Sequence, residues 1–330
     1  MDKKRTKAIA APSESLNDMQ GIRKKAKPGF HYEIIFTNAR FAQSFWIVAC
    51  KALPHLFFHI EVTDDYSGLR LEAHDSPPTM AIKSMFECII REGVDADGAP
   101  VSRSDLHGEV FCVTSKNLMK VFQCTQLKDA PLRLVKYHGK DGISFEAQTN
   151  EEDVHTSFML PFCSKTPSNV LQKLKAEGLR IEMATHVLQK LASVASDIEA
   201  SNLRFELFGA PSTDPDITRN KLTVAFPGAE ISGSYDFVLN KKTRIVSGVH
   251  EYEAVASTGN DTTDWSRLSS HSYLAAKFKL FISSLKCERC FVTLPPLDAK
   301  SRNMVIVADC EGGKTSHTIF VSPQEDEDDE

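Results

Sequence analysis

The sequence has no apolar run approaching the roughly 20 residues that a membrane-spanning helix needs, and its first residues lack the apolar block of a secretory signal. Both absences point to a protein that works inside a cell and off the membrane. There is no Walker-type phosphate loop and no convincing Gly-x-Gly-x-x-Gly, which removes the usual nucleotide-binding readings. Acidic residues are not grouped near strand ends, where a magnesium-dependent nuclease would need them. Cys287 and Cys290 have Cys-x-x-Cys spacing, but no second such pair exists to complete a structural zinc site. No metal and no cofactor are expected. His74, Asp75 and Ser76 are consecutive, a spacing that forms a turn and not a hydrolase relay. The eight cysteines (50, 88, 112, 124, 163, 287, 290, 310) are scattered, and in a reducing compartment they read as free or buried thiols.

What is present is ordinary for a globular chain: 25% charged and 42% hydrophobic residues over 330 positions, enough for two domains with their own cores. The net charge of −5 conceals an asymmetry. Residues 1–28 carry Lys3, Lys4, Arg5, Lys7, Arg23, Lys24, Lys25 and Lys27 against three acids, whereas the chain ends in Glu325, Asp326, Glu327, Asp328, Asp329 and Glu330. Both ends read as disordered. The basic one fits a solvated tail, a nuclear import signal or an arm touching DNA phosphates, and the acidic one a solubilising tail.

Periodicity organises the rest. His31 to Asn38 reads as a strand, and residues 39–53 as a helix with Phe41, Phe45, Val48 and Ala52 on its apolar stripe, closed by Pro54. Strands are expected at Phe57–Val62, Leu69–Ala73, Met80–Ile90 and Glu109–Val113. A second helix starts at Thr114 or Ser115, with Leu118, Val121, Phe122 and Leu127 as its apolar members and Lys116, Lys120 and Gln123 on the opposite face. Strands follow at Leu132–Tyr137, Ile143–Gln148 and Val154–Leu160. Residues 161–178 are polar, contain two prolines and end in glycine, so they read as a connector with a few apolar residues.

The same order then returns. Leu179–Met183 is a strand, and 185–199 a helix with Val187, Leu188, Leu191, Val194 and Ile198 on one stripe. Strands at Leu203–Phe208, Leu222–Phe226 and Ile231–Val238 lead into a polar stretch, 240–268, expected to be a long loop with a strand near Glu251–Val255. A fourth helix is expected over 271–285, burying Leu274, Phe278, Phe281, Ile282 and Leu285. Strands at Phe291–Leu294, Asn303–Asp309 and Thr315–Val321 finish the chain. This is an internal repeat of about 150 residues. Strands that follow one another without crossover helices mean antiparallel sheets and an α+β fold.

Four segments carry a likeness to a known family: Leu69-Arg-Leu-Glu-Ala-His-Asp75-Ser-Pro-Pro-Thr-Met-Ala-Ile82, Thr114-Ser-Lys-Asn-Leu-Met-Lys-Val-Phe-Gln-Cys124, Tyr273-Leu-Ala-Ala-Lys-Phe-Lys-Leu-Phe281, and Ile319-Phe-Val-Ser-Pro323 followed by acids. In order and spacing the chain, over about residues 30–330, resembles the eukaryotic and archaeal DNA sliding clamp, proliferating cell nuclear antigen. The resemblance implies a non-enzymatic DNA clamp fold. It has two similar domains (29–160 and 179–323, joined by 161–178), sheets outside and two helices per domain inside, closed head to tail as a homotrimer around double-stranded DNA. It implies sequence-independent DNA contact through Lys51, Lys116, Lys120, Lys190, Lys277 and Lys279. Ile47, Val48, Gln123, Ser193 and Ser284 stand where the family has basic residues, so the lining is less positive than usual.

The same resemblance implies a groove for DNA polymerase and other clamp-binding-motif proteins, lined by His74, Pro78, Met80, Val170, Leu171, Leu174, Phe320, Val321, Ser322 and Pro323. His74 replaces a family methionine. It implies subunit pairing of Val154–Leu160 (Val154, Thr156, Phe158, Leu160) on one copy with Leu222–Ala229 (Leu222, Val224, Phe226) on the next, loading by a separate ATP-dependent clamp loader, and action in the nucleus or at a site of viral DNA replication. Three other readings stay open from sequence: a checkpoint-type subunit of a hetero-trimeric clamp, a monomeric viral-type polymerase accessory factor, and a metal-dependent DNA-processing enzyme.

Overall fold

The structure is a computed structural model. It describes residues 30–324 apart from 37–38, 77–78, 125–131, 149–154, 169–170, 172–173, 175–177, 211–219, 229, 247–248, 258–264, 300 and 311–314. The basic extension 1–28, the acidic tail, Leu127, Val154, Val170 and Pro78 lie outside the described residues.

The first half runs β1 (Phe30–Phe36), α1 (Ala39–Ala52), β2 (His55–Val62), β3 (Ser67–His74), β4 (Met80–Glu87), β5 (Ile89–Glu92), a one-turn α2 (Arg103–Leu106), β6 (Val110–Thr114), α3 (Ser115–Cys124), β7 (Leu132–Tyr137), β8 (Gly142–Gln148) and β9 (His155–Pro161). The second runs β10 (Leu179–Ala184), α4 (Thr185–Asp197), β11 (Asn202–Gly209), β12 (Asn220–Phe226), β13 (Gly233–Val246), β14 (Val249–Ala256), β15 (Ser266–Leu274), α5 (Ala275–Ile282), β16 (Arg289–Leu294), β17 (Met304–Cys310) and β18 (Thr315–Val321). One sheet has the order β5-β1-β7-β8-β9. The other has thirteen strands, β15-β11-β12-β13-β14-β10-β16-β17-β18-β4-β3-β2-β6.

The repeat is visible in three dimensions. From Phe111 to Gln123 and from Ile181 to Ser193 the order of buried, half-buried and exposed residues is the same at all thirteen positions; His271 to Ser283 differs at two. A strand thus turns into a helix by one geometry three times over. The helix starts carry no strong side-chain cap, and their free N–H groups are met by backbone. Ser115 N–H bonds to Pro54 O (3.0 Å), Ala275 N–H to Ser201 O (2.9 Å) and Thr185 N–H to Glu288 O (2.8 Å). Each acceptor lies in the segment following a neighbouring helix. A charge pair repeats as well: buried Glu33 of β1 holds Arg133 of β7, and buried Glu182 of β10 holds Arg289 of β16 at 2.7 Å.

The halves are welded within the chain by β18 on β4, an antiparallel ladder from Thr315↔Phe86 to Val321↔Met80. The inner faces of the strands and the apolar faces of the helices share one core. Its centre in the first half is Trp46, fully buried and ringed by Phe36, Phe58, Phe86, Phe122 and Phe145.

Three expectations are corrected. The buried stripe of α1 is Ala39, Ala42, Phe45, Trp46, Ala49 and Cys50; Val48 and Ala52 are only half-buried, because the helix is rotated to insert the larger indole. The polar stretch 240–268 is not one long loop: β13 extends to Val246 and returns as β14, which contains the strand expected near Glu251–Val255. The fourth helix starts at Ala275, since residues 266–274 pair with β11 as a strand.

Candidate nucleic-acid interface

The helices that bring the basic side chains together form one row. α3 packs on α1, α1 on α5 and α5 on α4. Their apolar sides enter the core and their polar sides face away from it. On α3, Leu118, Val121 and Phe122 are buried, whereas Lys116, Lys120 and Gln123 are exposed. On α4, Leu188, Leu191, Ala192 and Ala195 are buried and His186, Lys190 and Ser193 exposed. The Lys190 ammonium also sits 5.6 Å from the ring centre of Tyr235. Lys51 is exposed in the last turn of α1, and Lys279 is exposed on α5.

Lys277 departs from this set. Its ammonium bonds Asp75 Oδ2 at 2.7 Å and also the Thr79 hydroxyl. Asp75 in turn accepts the backbone N–H of Thr79 (2.7 Å) and of Met80 (2.8 Å). Burial works to raise the Asp75 carboxyl, but the hydrogen bonds from Lys277, Thr79 and Met80 outweigh it and hold it below the ordinary aspartate value. Lys277 therefore ties α5 of the second half to the β3–β4 turn of the first, and its charge is already spent. The exposed basic row is Lys51, Lys116, Lys120, Lys190 and Lys279.

On the opposite side of the joint, the described residues Leu171 and Leu174 of the connector lie against the outer face of the sheet. Leu171 and Leu174 pack with Ala81 of β4, Val305 and Val307 of β17 and Phe320 of β18. His74 reaches the connector too: its Nδ1 donates to the Asp75 carbonyl at 2.9 Å, and its Nε2 meets the Ser168 hydroxyl at 2.6 Å. Ser322 is half-buried, its N–H on Thr79 O (3.0 Å) and its hydroxyl on Asn303 Oδ1 (2.8 Å), with half-buried Pro323 beside it. Met80 and Val321 do not belong to this surface. Both are in the main core, because alternate residues of a strand point to opposite faces and theirs point inward. Ala81, Val305 and Val307 take their place, one residue out of phase with the sequence reading. Gly178, which ends the connector, has φ +121°, and a Cβ there would lie 2.0 Å from Leu294 O.

The strand edges correct another expectation. β12 is bonded to β11 on one side and β13 on the other. Leu222, Val224 and Phe226 are buried in the core and offer no edge to a second copy. β9 is an edge of its sheet, bonded to β8 alone. Thr156 and Phe158 are half-buried, Leu160 is buried and Met159 is 47% exposed. Within the repeat, β9 is the counterpart of β18 and β13 of β4. The outer edge of β13 is taken by β14 from Phe237 onward (Phe237↔Ala256), and Ser257 N–H bonds Asp236 O at 2.9 Å. Gly233, Ser234 and Tyr235 pair on the β12 side and, among the described residues, have no ladder partner on the other.

Among the described residues no three His, Cys, Asp or Glu side chains are grouped to hold a metal ion, and no helix is long and apolar enough to cross a membrane. The repeated glutamate–arginine pairs escaped the sequence reading, since their members lie about a hundred positions apart with no local signal.

No family model matches the sequence, and neither does any curated protein. Solved structures do. Proliferating cellular nuclear antigen from Entamoeba histolytica superposes with a TM-score of 0.58 at 11% identity, over 90% of this chain and 100% of that one. The Thermococcus kodakaraensis protein gives 0.56 at 14% identity, over 89% and 100%. At such identities the likeness is one of architecture, and it runs through both halves: the chain has the fold of proliferating cell nuclear antigen, the sliding-clamp fold.

Proposed function

We propose that this chain is a DNA sliding clamp, a non-enzymatic ring subunit that encircles duplex DNA and holds a polymerase and other replication or repair factors on it. The observation that carries the reading is the single row of four helices presenting Lys51, Lys116, Lys120, Lys190 and Lys279 away from the core. Lysines on helix faces contact phosphates one charge at a time without reading bases, which suits a protein that must hold DNA and still slide. With Lys277 neutralised by Asp75, the grip is weaker, and the basic residues 1–28 supplement it. Three copies would close by adding β9 of one to the free stretch of β13 on the next, with 29–160 and 179–323 as the two domains of each subunit. Partner segments would dock beside the connector, on the surface of Leu171, Leu174, Ala81, Val305 and Phe320. Loading would be done by a separate ATP-driven protein, in the nucleus or at a viral replication site.

The test is a double charge reversal, Lys120→Glu with Lys190→Glu, in the full chain. Stimulation of a polymerase on a long primed template is expected to fall at least tenfold while the size of the assembly in solution is unchanged. Undiminished stimulation by an intact assembly would overturn the reading of the helix row.

One observation favours a second reading, a subunit of a hetero-trimeric checkpoint-type clamp. The β13 edge open to another copy is short, because β14 occupies the rest. A homotrimer in solution supports the first reading. A chain that stays monomeric alone and assembles only with other clamp-fold subunits supports the second.

A further inference from the structure

The thirteen-strand sheet has two outer edges, β6 and β15. Each is touched at one point by the chain leaving the last strand of its half. After β9, Cys163 N–H bonds Cys112 O of β6 at 2.8 Å. After β18, Gln324 N–H bonds Ser272 O of β15, also at 2.8 Å, and the two residues form an antiparallel bridge. The contacts fall on matching positions, since Cys112 and Ser272 each stand three residues before the helix that follows. Past Cys163 the chain is the connector. Past Gln324 it is the acidic segment 325–330, outside the described residues.

The bridge sets a direction and a register. In an antiparallel ladder the N–H and C=O of one residue point to one side and those of the next residue to the other. Ser272 turns its pair toward Gln324, so His271 turns toward β11 and Ser270 away from it. Ser270 therefore holds the next open backbone pair of the edge. Further back the strand bulges at Leu268, with Ser269 opposite Leu207 but Arg267 opposite Phe208, and a bulge interrupts pairing. The open stretch is thus short. Its side chains are basic on balance: β11 and β15 carry Arg204, Arg267 and Glu206. Arg204 Nε lies 3.4 Å from the Ser272 hydroxyl, and exposed Arg267 reaches Glu206 at 3.5 Å.

We propose that residues 325–330 dock on the open edge of β15 as a short antiparallel strand, an in-chain cover for that edge. Asp326 lies opposite Ser270 and exchanges backbone hydrogen bonds with it. Glu325 and Glu327 flank it, opposite His271 and Ser269, and the later acids pass the bulge beside Arg267. Aspartate and glutamate are poor strand formers, so the backbone pair and the arginines hold the segment, and salt loosens it. An uncovered edge is a template for another chain; this cover closes β15 to strand addition by a second copy. The inference does not depend on whether the chain encircles DNA.

The experiment compares the full chain with one ending at Gln324 by residue-resolved hydrogen–deuterium exchange at neutral pH and low salt, each at two protein concentrations. Ser270 N–H is expected to exchange about tenfold more slowly in the full chain, whereas His271 N–H, turned toward β11, exchanges alike in both. Arg267→Glu is expected to speed exchange at Ser270 in the full chain and to leave the truncated chain unchanged. Equal exchange at Ser270 in the two chains overturns the proposal. If it is fast in both, the edge is open; if it is slow in both and slower still at the higher concentration, a second copy covers it. An Arg267→Glu effect of the same size in both chains also overturns it, because the arginine then acts within the sheet and not on the acidic segment.

Discussion

Asp75 shows how much one residue can organise. Its carboxylate gathers two backbone N–H groups, the Thr79 hydroxyl and the Lys277 ammonium, closing the β3–β4 turn and fastening α5 of the other half to it. Hydrogen bonds to a charged group contribute about 1.5–3 kcal/mol each when well shielded, and less where solvent reaches them, as it does here. Asp75→Asn keeps an acceptor for the backbone but loses the charge, so a cost of about 1–3 kcal/mol at pH 7 is expected. The folded carboxyl titrates below its unfolded value of about 3.9. The stabilisation is therefore complete above that value and disappears as pH falls through the lower, folded one. Urea midpoints of the two proteins should differ at neutral pH and converge on acidification below about pH 4; an equal gap at both would show that the charge does not matter. Sequence marked Asp75 as turn chemistry correctly. It gave no sign that Lys277 is bonded to Asp75, because helical phase reports which way a side chain leaves the helix, not which partner another element brings to it. Trp46 was missed for a related reason: a helix with apolar residues around much of its circumference has several possible stripes, and the neighbouring sheets select one.

Elements were legible where pattern and tertiary need agree. The strand-to-helix junctions at 114–115 and 184–185 could be read directly, because a buried strand followed by a 3.6-residue stripe is unambiguous. Of the β13–β14 hairpin, the strand near Glu251–Val255 was legible, but not the extension of β13 through polar residues to Val246, nor the parallel pairing of β14 with the distant β10, for which the local sequence carries no sign. The surface under Leu171 and Leu174 was not legible in its facing, since choosing Met80 over Ala81 is a one-residue error that reverses a strand's two sides. Gly178 gives its end a test. No side chain fits at φ +121° with Leu294 O 2.0 Å from the Cβ position, so Gly178→Ala must displace β16 or the connector. A loss of about 2 kcal/mol or more is expected, read as a lowered unfolding midpoint. A neutral outcome would mean that the connector enters β10 by another path.

At the scale of the molecule, the repeat supplies a register for assembly. Traced through the ladders from the matched pairs Glu33–Arg133 and Glu182–Arg289, Met159 corresponds to Thr318; traced from Phe58 and Phe205, Ser234 corresponds to Lys83. Thr318 and Lys83 are partners in the in-chain weld. If one copy meets the next as the halves meet each other, Met159 lies opposite Ser234 and Phe158 opposite Tyr235, an aromatic pair of the kind that steadies strand pairing. The next positions toward the start of β9 would need the β13 edge that β14 already holds, so the joint spans about half of the in-chain ladder and is sensitive to single changes. Met159→Cys combined with Ser234→Cys, oxidised at low concentration, is therefore expected to give covalent dimers and then a closed three-chain species, and nothing larger. Either single variant should stay uncrosslinked beyond the background of exposed Cys124. Crosslinks that continue into longer ladders would mean a head-to-tail contact that does not close. Failure of the pair to crosslink in a preparation that is trimeric by mass would place the joint on another edge.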